Sequence, residues 1–464
     1  MLRTSMSADE IRNLYMQPYR DHRESIDRRI REGIETHRKG DFRIRVVDKN
    51  GRPVKGAAVS VNQTGHAFRY GANIFMLDEF GRDDYNAEYR RIFKAYFNAA
   101  TVPFFWRDNE PEEGHHRFEK NSSPIYRRPP TDLCMEYCGE NRIQPKLHCL
   151  VYDEWAPDWA RNLPLPAMKA KYEKRFREIA ERYGDGFCGV EVINEVLRFR
   201  NWEAGKYPLS ETPDVIEWAF GLARQYFPNT PLLINDAVLL PRVEDRGHPY
   251  CALIRENLEK GVGIDKIVMQ NQQYTGVSAH NDGEYEDQIR RDSPLSAPAR
   301  IYRGLDTMAS LGLPLEIGEV TVPTFGEGEA YEELQADLLR LWYSIWFSHP
   351  AVDGITYWNT PDGYAHTFHD DWVENRCRGG LFRHDLTPKK SADTLRKLFC
   401  EEWRTEGTFQ TDEGGEVTFR GFFGDYAAQV VSGGHTVSER LTLTRNGQRE
   451  YTIRMVELNT QNLP

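Results

Sequence analysis

Two glutamates close two short apolar stretches. Gly189-Val190-Glu191-Val192-Ile193-Asn194-Glu195 begins as a run rich in β-branched residues, as a buried strand does, and ends in Asn194 and Glu195. Leu313-Pro314-Leu315-Glu316-Ile317-Gly318-Glu319-Val320 has the same construction and delivers Glu319. The chain has 71 acidic residues, so it is this strand context, not residue type, that singles out the two. A rigid apolar strand with a polar C-terminal end is the mount that a parallel α/β barrel gives an active site. Two carboxyl groups on two such mounts can share the cleavage of a glycosidic bond: one protonates the leaving oxygen, and the other attacks the anomeric carbon or activates water. Asn194 is then placed to hydrogen-bond the sugar 2-hydroxyl.

The elements around them alternate. Strand-like runs are predicted at Tyr70–Phe75, Ala99–Trp106, Gln144–Tyr152, Gly189–Glu195, Pro231–Asp236, Asp265–Gln272, Pro314–Val320 and Gly354–Trp358. Amphipathic stretches such as Ala167–Tyr183, Asp214–Tyr226 and Tyr331–Ser348 lie between them. Eight such units predict a closed (β/α)8 TIM barrel of the α/β class. An open doubly wound sheet would want a Gly-rich phosphate turn after its first strand, and none is present.

The ends of the chain read differently. Residues 1–40 are charged and helix-prone, with Ile26, Ile30 and Ile34 on one stripe. From Asp41 the period becomes two, and Asn50-Gly51 reads as a hairpin turn before a second strand, Val54 to Val61. Short strands return at Glu416–Arg420, Tyr426–Val431, Arg440–Thr444 and Tyr451–Val456, with Asn446-Gly447 as a hairpin turn. Neither piece alone has strands enough for two layers, so 41–66 and 403–464 are expected to form one accessory β-sandwich-like module flanking a barrel over 67–402.

A net charge of −11 argues against a nucleic-acid partner and suits a neutral carbohydrate or glycoside. No run of about 18 apolar residues is present, so no membrane span is expected. Cys134 and Cys138 have no second pair to complete a zinc site, and neither metal nor cofactor is expected. Seven scattered cysteines and no apolar signal core near Met1 lead to the expectation of a cytoplasmic protein. Oligomeric state, the sugar, and endo or exo action stay open.

Val190-Glu191-Val192-Ile193-Asn194-Glu195 resembles the acid/base motif of glycoside hydrolase family 10, the xylanase family, and Ile317-Gly318-Glu319-Val320-Thr321-Val322 resembles its nucleophile motif. Further blocks fall in the same order. Phe97-Asn98, with Trp106 and Glu110-Pro111-Glu112-Glu113-Gly114, resembles the second-strand block, and His148-Cys149-Leu150-Val151-Tyr152 with Pro157 and Trp159 the third. Ile234-Asn235-Asp236 resembles the fifth-strand block, Gly354-Ile355-Thr356-Tyr357-Trp358 the eighth, and Leu381-Phe382 with Pro388-Lys389 the closing segment. The resemblance covers roughly 70–400. It implies a retaining mechanism with Glu195 as acid/base and Glu319 as nucleophile. Asn194, His148 and Gln270 would bind the sugar, and Trp358 would stack beneath it. The division of roles needs the acid's pKa raised and the nucleophile ionised.

Several positions depart from the family pattern. Where xylanases carry a polar Glu-Asn-Glu-x-Lys-Trp block, this chain has Thr101, Val102 and Phe105 leading to Trp106. The usual Thr and Asp around the nucleophile are Gly318 and Thr321. The nucleophile's His partner is Gln272, which can still donate an amide hydrogen. Tyr152-Asp153 replaces Trp-His. The expected substrate is therefore a β-glycoside of plant type, xylan included, or one with an apolar or aromatic group near Phe104, Phe105 and Trp106, and Gln272, Trp106 and Tyr152 join the residues expected to bind it. The loop after the eighth strand adds Asp362, Tyr364, His366, His369, Asp371, Trp372, Arg376 and Arg378 as candidates; Arg376 or Arg378 could recognise an acidic substituent, but a salt bridge to one of the abundant carboxylates is the favoured reading. Two other classes compete: a non-catalytic carbohydrate-binding barrel, and a metal-dependent barrel hydrolase, for which no His-x-His follows the first strand.

Overall fold

In a computed structural model, which describes residues 3–202, 205–369 and 372–455 apart from the side chains of Trp202 and 367–369, eight parallel strands close into a barrel in chain order. They are Arg69–Asn73, Ala99–Pro103, Gln144–Val151, Gly189–Asn194, Leu232–Asp236, Lys266–Gln272, Leu315–Thr321 and Val352–Tyr357. The second strand ends three residues earlier than its pattern predicts, because Trp106–Asn109 turns at once into a short helix. Helices Leu165–Tyr183, Val215–Tyr226 and Glu329–Ser348 lie at the amphipathic stretches.

Strand pairing sets the heights of the polar ends. Asn194 lies beside Asn235, and Gln270 beside Glu319. The second of these pairs follows an irregularity: Met269 faces Ile317 and Gln270 faces Glu319, so Gly318 is the extra residue of a bulge, a common device for aiming a side chain next to an active site. A Cβ at Gly318 would lie 2.2 Å from Cγ1 of buried Val268, so there is no room for the family's threonine.

The chain divides into two compact units. The first contains the residues through Ile26, Tyr70–Phe347 and Ala351–Leu395. In it the N-terminal helix Ala8–Arg20 buries Tyr15, whose carbonyl accepts from Ser296 Oγ at 2.6 Å. The second contains Asp27–Arg69, Ser348–Pro350 and the residues from Arg396 onward. In it Lys39–Val47 is the centre of a three-stranded sheet between Glu416–Phe422 and Glu450–Arg454. The other sheet orders Glu406–Gln410, Ala58–His66, Gly424–Ser432 and His435–Leu443. Phe42, Ile44, Val59, Phe419, Tyr426 and Leu443 fill one apolar core.

Two turns lead elsewhere than their sequence reading expects. Asn50-Gly51 closes a short antiparallel turn, with Val47 bridged to Pro53 and the Val54 N–H on the Val46 carbonyl at 3.0 Å, but the strand that follows, Ala58–His66, joins the other sheet. Asn446-Gly447 joins strands that lie in different sheets and do not pair with each other. The same turn chemistry serves an arch from sheet to sheet as well as a hairpin, and the number of residues between strands does not separate the two. The strand Glu406–Gln410 carries no strong apolar alternation and is absent from the strands that periodicity predicts, while Val456 lies outside the described residues.

Candidate active site

The C-terminal ends of the strands surround a cavity of about 390 Å³. Asn194, Glu195, His148, Tyr152, Gln270, Gln272, Glu319 and Trp358 all line it.

Glu195 is the first residue past the fourth strand and has φ +57°, in the left-handed region that disfavours a side chain by roughly 1–2 kcal/mol. Its N–H is fixed on the Asn235 carbonyl at 3.0 Å, and the helix Val196–Trp202 begins immediately after it. The side chain is held from both sides. Gln270 Nε2 donates to Oε1 at 3.0 Å, Tyr152 Oη donates to Oε2 at 2.8 Å, and Arg198 Nη1 donates to Oε2 at 2.6 Å. Arg198 also pairs with Glu154 at 3.1 Å. Below them Asp236 accepts from the N–H groups of Leu197 and Ala237; burial, with Glu195 adding to it, pushes its carboxyl up to about 7.

Glu319 accepts from Asn235 Nδ2 at 3.0 Å and from Gln272 Nε2 at 2.9 Å. Gln272 thus keeps the amide contact predicted from its position. Burial pushes the Glu319 carboxyl well above the usual carboxylate range, and the negative charges of Glu191 and Glu195 push the same way; Asn235 and Lys146 pull against them. This reverses the sequence expectation of a nucleophile that is ionised by default, and the reason is a dry site shared by three carboxyl groups.

The floor beneath these residues is a charge network. His148 Nδ1 bonds Glu191, Asn235 Nδ2 reaches Glu191 at 3.2 Å as well as Glu319, and Lys146 Nζ is 2.6 Å from both Glu191 and Glu316. Burial alone would raise Glu191, but Lys146 and His148 outweigh it and hold its carboxyl below the usual range. An ionised Glu191 makes His148 Nδ1–H the donor and leaves the Nε2 edge for a ligand.

The titration has a direction. An attacking Glu319 must be ionised, so kcat/KM on an aryl glycoside is expected to fall toward acid through a midpoint above the ordinary carboxylate range. The folded protein keeps a Glu319 proton that the unfolded chain has lost. Stability from this group is therefore highest below the unfolded pKa and declines as pH rises toward the raised one. An acidic limb at ordinary carboxylate values would show that Glu319 is not the group being titrated.

One wall is apolar. Phe105 lines the cavity with Phe75, Trp155 and Trp358, and the Phe75 ring stands edge-on to Trp358 with centroids 5.1 Å apart. Thr101 and Val102 are buried beneath. Trp106, expected at the substrate, is not among the lining residues. It faces the helix Leu165–Tyr183, with its ring 4.4 Å from Tyr172 and Nε1 donating to Glu110 at 2.8 Å, because the chain turns helical at that residue. Phe104 likewise points away and packs on Tyr183 and Phe187.

Of the loop candidates, His366 and Trp372 line the cavity. Asp362 pairs with Lys389, Tyr364 stacks on His384, Arg378 pairs with Glu327, and Arg376 donates to the carbonyls of Val277 and Ala279. Asp371 and the His369 side chain lie outside the described residues. The sequence reading missed Glu191, Asn235, Arg198, Arg127, Arg128 and Glu374. Glu191 had a usable signal, a charge inside an apolar strand; Arg127 and Arg128 sit in an irregular segment and had none, and Arg198 is one charge on the short helix Val196–Trp202 that nothing in the pattern marks.

The family model of glycosyl hydrolase family 10 matches residues 79–397. The anti-sigma-I factor RsgI6 of Acetivibrio thermocellus is 28% identical over 432 residues, which is 91% of this chain and 49% of that protein. Endo-1,4-beta-xylanase 1 of Arabidopsis thaliana is 23% identical, over 92% of this chain and 40% of its own length. The chain thus spans about half or less of the length of these curated relatives. Among solved structures, xylanase 10B from Thermotoga petrophila in complex with xylobiose has a TM-score of 0.56 at 20% identity, covering 72% of this chain and 95% of that one. Xylanase 10B from Thermotoga maritima has a TM-score of 0.55 at 21% identity, with 72% and 96% covered. Their likeness is one of fold.

Proposed function

The chain belongs to glycosyl hydrolase family 10, and from that premise we propose that it is a retaining β-glycosidase acting on a plant-type glycan or glycoside. Glu319 attacks the anomeric carbon, the bond to the leaving oxygen breaks, and Glu195 gives that oxygen its proton. Water then enters, loses a proton to Glu195 and displaces Glu319, which restores both groups.

The observation that carries this reading is the convergence of the two glutamates on one cavity, each oriented by its own amide donors. Gln270 holds Glu195, while Asn235 and Gln272 hold Glu319. A lectin has no use for two carboxyl groups positioned in this way. His148 and Asn194 supply polar edges for sugar hydroxyls, and Trp358 supplies a flat face. The relatives named as xylanases support a polysaccharide substrate. The apolar wall at Phe105 supports a sugar unit different from the one that a polar second-strand block would hold.

The test is a panel of aryl β-glycosides with good and poor leaving groups, given to the wild type and to Glu195→Ala. General acid–base catalysis contributes about 10²–10⁴-fold. Loss of Glu195 is expected to slow poor leaving groups by that order and activated ones far less. Equal slowing on both, or none, would remove Glu195 from the acid role.

A further inference from the structure

We propose that the end of this cavity lined by Arg127 and Arg128 is a carboxylate-binding subsite, so that the preferred substrate carries a uronic acid unit; this rests on the glycosidase reading of the same cavity.

Arg128 is 6% exposed and lines the cavity. Its Nε donates to Asp108 Oδ2 at 2.6 Å and its Nη1 to the Arg127 carbonyl at 2.8 Å, while Nη2 has no hydrogen-bond partner among the described residues. Arg127 is 2% exposed. Its outer nitrogens donate to the Tyr364 carbonyl and to Asn359 Oδ1, and its buried Nε is unpartnered among the described residues.

The guanidinium of Arg128 is fixed by rings. It lies 4.2 Å from the centre of Phe105, 4.6 Å from Trp155 and 5.4 Å from Phe75. A planar cation held in this way gives up little conformational freedom or hydration when an anion arrives, and its unpartnered Nη2 offers a charge-assisted donor to a carboxylate.

Among the described residues the local charge leaves a cation in excess. Arg107, Arg127 and Arg128 stand against Asp108 and Glu374, and burial pushes the nearby Glu79 up to about 7. His366 reports the resulting field: burial first, then these three arginines, hold it down at about 4. Arg198, also in the cavity, is already paired with Glu195 and Glu154. Recognition of an acidic substituent therefore falls to the two arginines before the third strand, and Arg378 is in the salt bridge that the sequence reading favoured for it.

The experiment measures binding by calorimetry to Glu319→Gln, which separates affinity from turnover. The ligands are pairs: 4-nitrophenyl β-glucuronide and β-glucoside, 4-nitrophenyl β-galacturonide and β-galactoside, and xylotetraose with and without a glucuronate branch. At least one acidic member is expected to bind about ten-fold or more tightly than its neutral partner, as for a charge-assisted hydrogen bond. Arg128→Met combined with Asp108→Asn, which leaves no lone buried carboxylate, is expected to bring that ratio to about three-fold or less. Arg128→Lys, which keeps the charge and loses the planar group fixed on the rings, should fall between. If no pair favours the acid, or if the preference survives in the double variant, the subsite is wrong. Should the Arg128 variants fail to fold, the ratio in Glu319→Gln and its loss with added salt still decide it. Wild-type turnover that is insensitive to Glu319 would overturn the glycosidase reading instead, whatever the binding ratios.

Discussion

Glu319→Ala is expected to lower turnover of aryl β-glycosides by about 10⁴-fold or more, since removal of a covalent nucleophile takes away the pathway and leaves only binding and proton transfer. The variant should still bind substrate. Asn235 and Gln272, which donate to Glu319 in the wild type, remain in place to hold a small anion in the space left by the carboxylate. Azide is therefore expected to restore part of the rate. Because azide expels the leaving group in one displacement where the wild type uses two, the product should be the α-glycosyl azide from a β-glycoside. Stereochemistry makes this test strict. A residual rate within about ten-fold of wild type would remove Glu319 from the nucleophile's place, and a β-azide would exchange its role with that of Glu195.

Much of this site is legible in the sequence, and the part that is not has a physical reason. Periodicity locates the eight strands to within a few residues, because a strand buried on both faces is a continuous apolar run. Strand ends then locate Glu195 and Glu319. The direction of Trp106 is not legible, because a helix starting at that residue turns the side chain away from the axis. Nor are the sheets flanking Asn50-Gly51 and Asn446-Gly447, since pairing is a long-range property that turn residues do not encode. The titration of Glu319 depends on how closely Glu191 and Glu195 approach it, and one-dimensional spacing does not give that distance. Arg127 and Arg128 lie in a stretch with no periodic pattern, and only folding brings Arg128 to Phe105 and Trp155.

Lys146→Met is expected to destabilise the protein by about 3–5 kcal/mol, the usual cost of removing one partner from a buried ion pair. Lys146 is 4% exposed, and it is bonded to Glu191 and Glu316 at 2.6 Å each. Burial would lower its pKa, but the two carboxylates outweigh this and raise it, so the ammonium form is the one that the fold requires. Without it, Glu316 is left with Lys266 at the longer distance of 3.6 Å, and Glu191 with His148. Thermal melting should show the loss, and an unchanged melting temperature would mean that the network contributes nothing to the fold. Adding Glu191→Gln and Glu316→Gln to Lys146→Met replaces the charges with neutral groups of similar size and should recover most of the stability. It should not restore the wild-type pH profile. Glu191 is the first of the charged neighbours that raise Glu319 and acts more strongly there than the opposing charge of Lys146, so with both removed the acidic limb of the triple variant should move to lower pH. Recovered melting with a displaced limb would separate the two roles of one buried network, support of the barrel and tuning of the residue that attacks. Recovered melting with an unmoved limb would leave burial and Glu195 as the causes of the shift at Glu319.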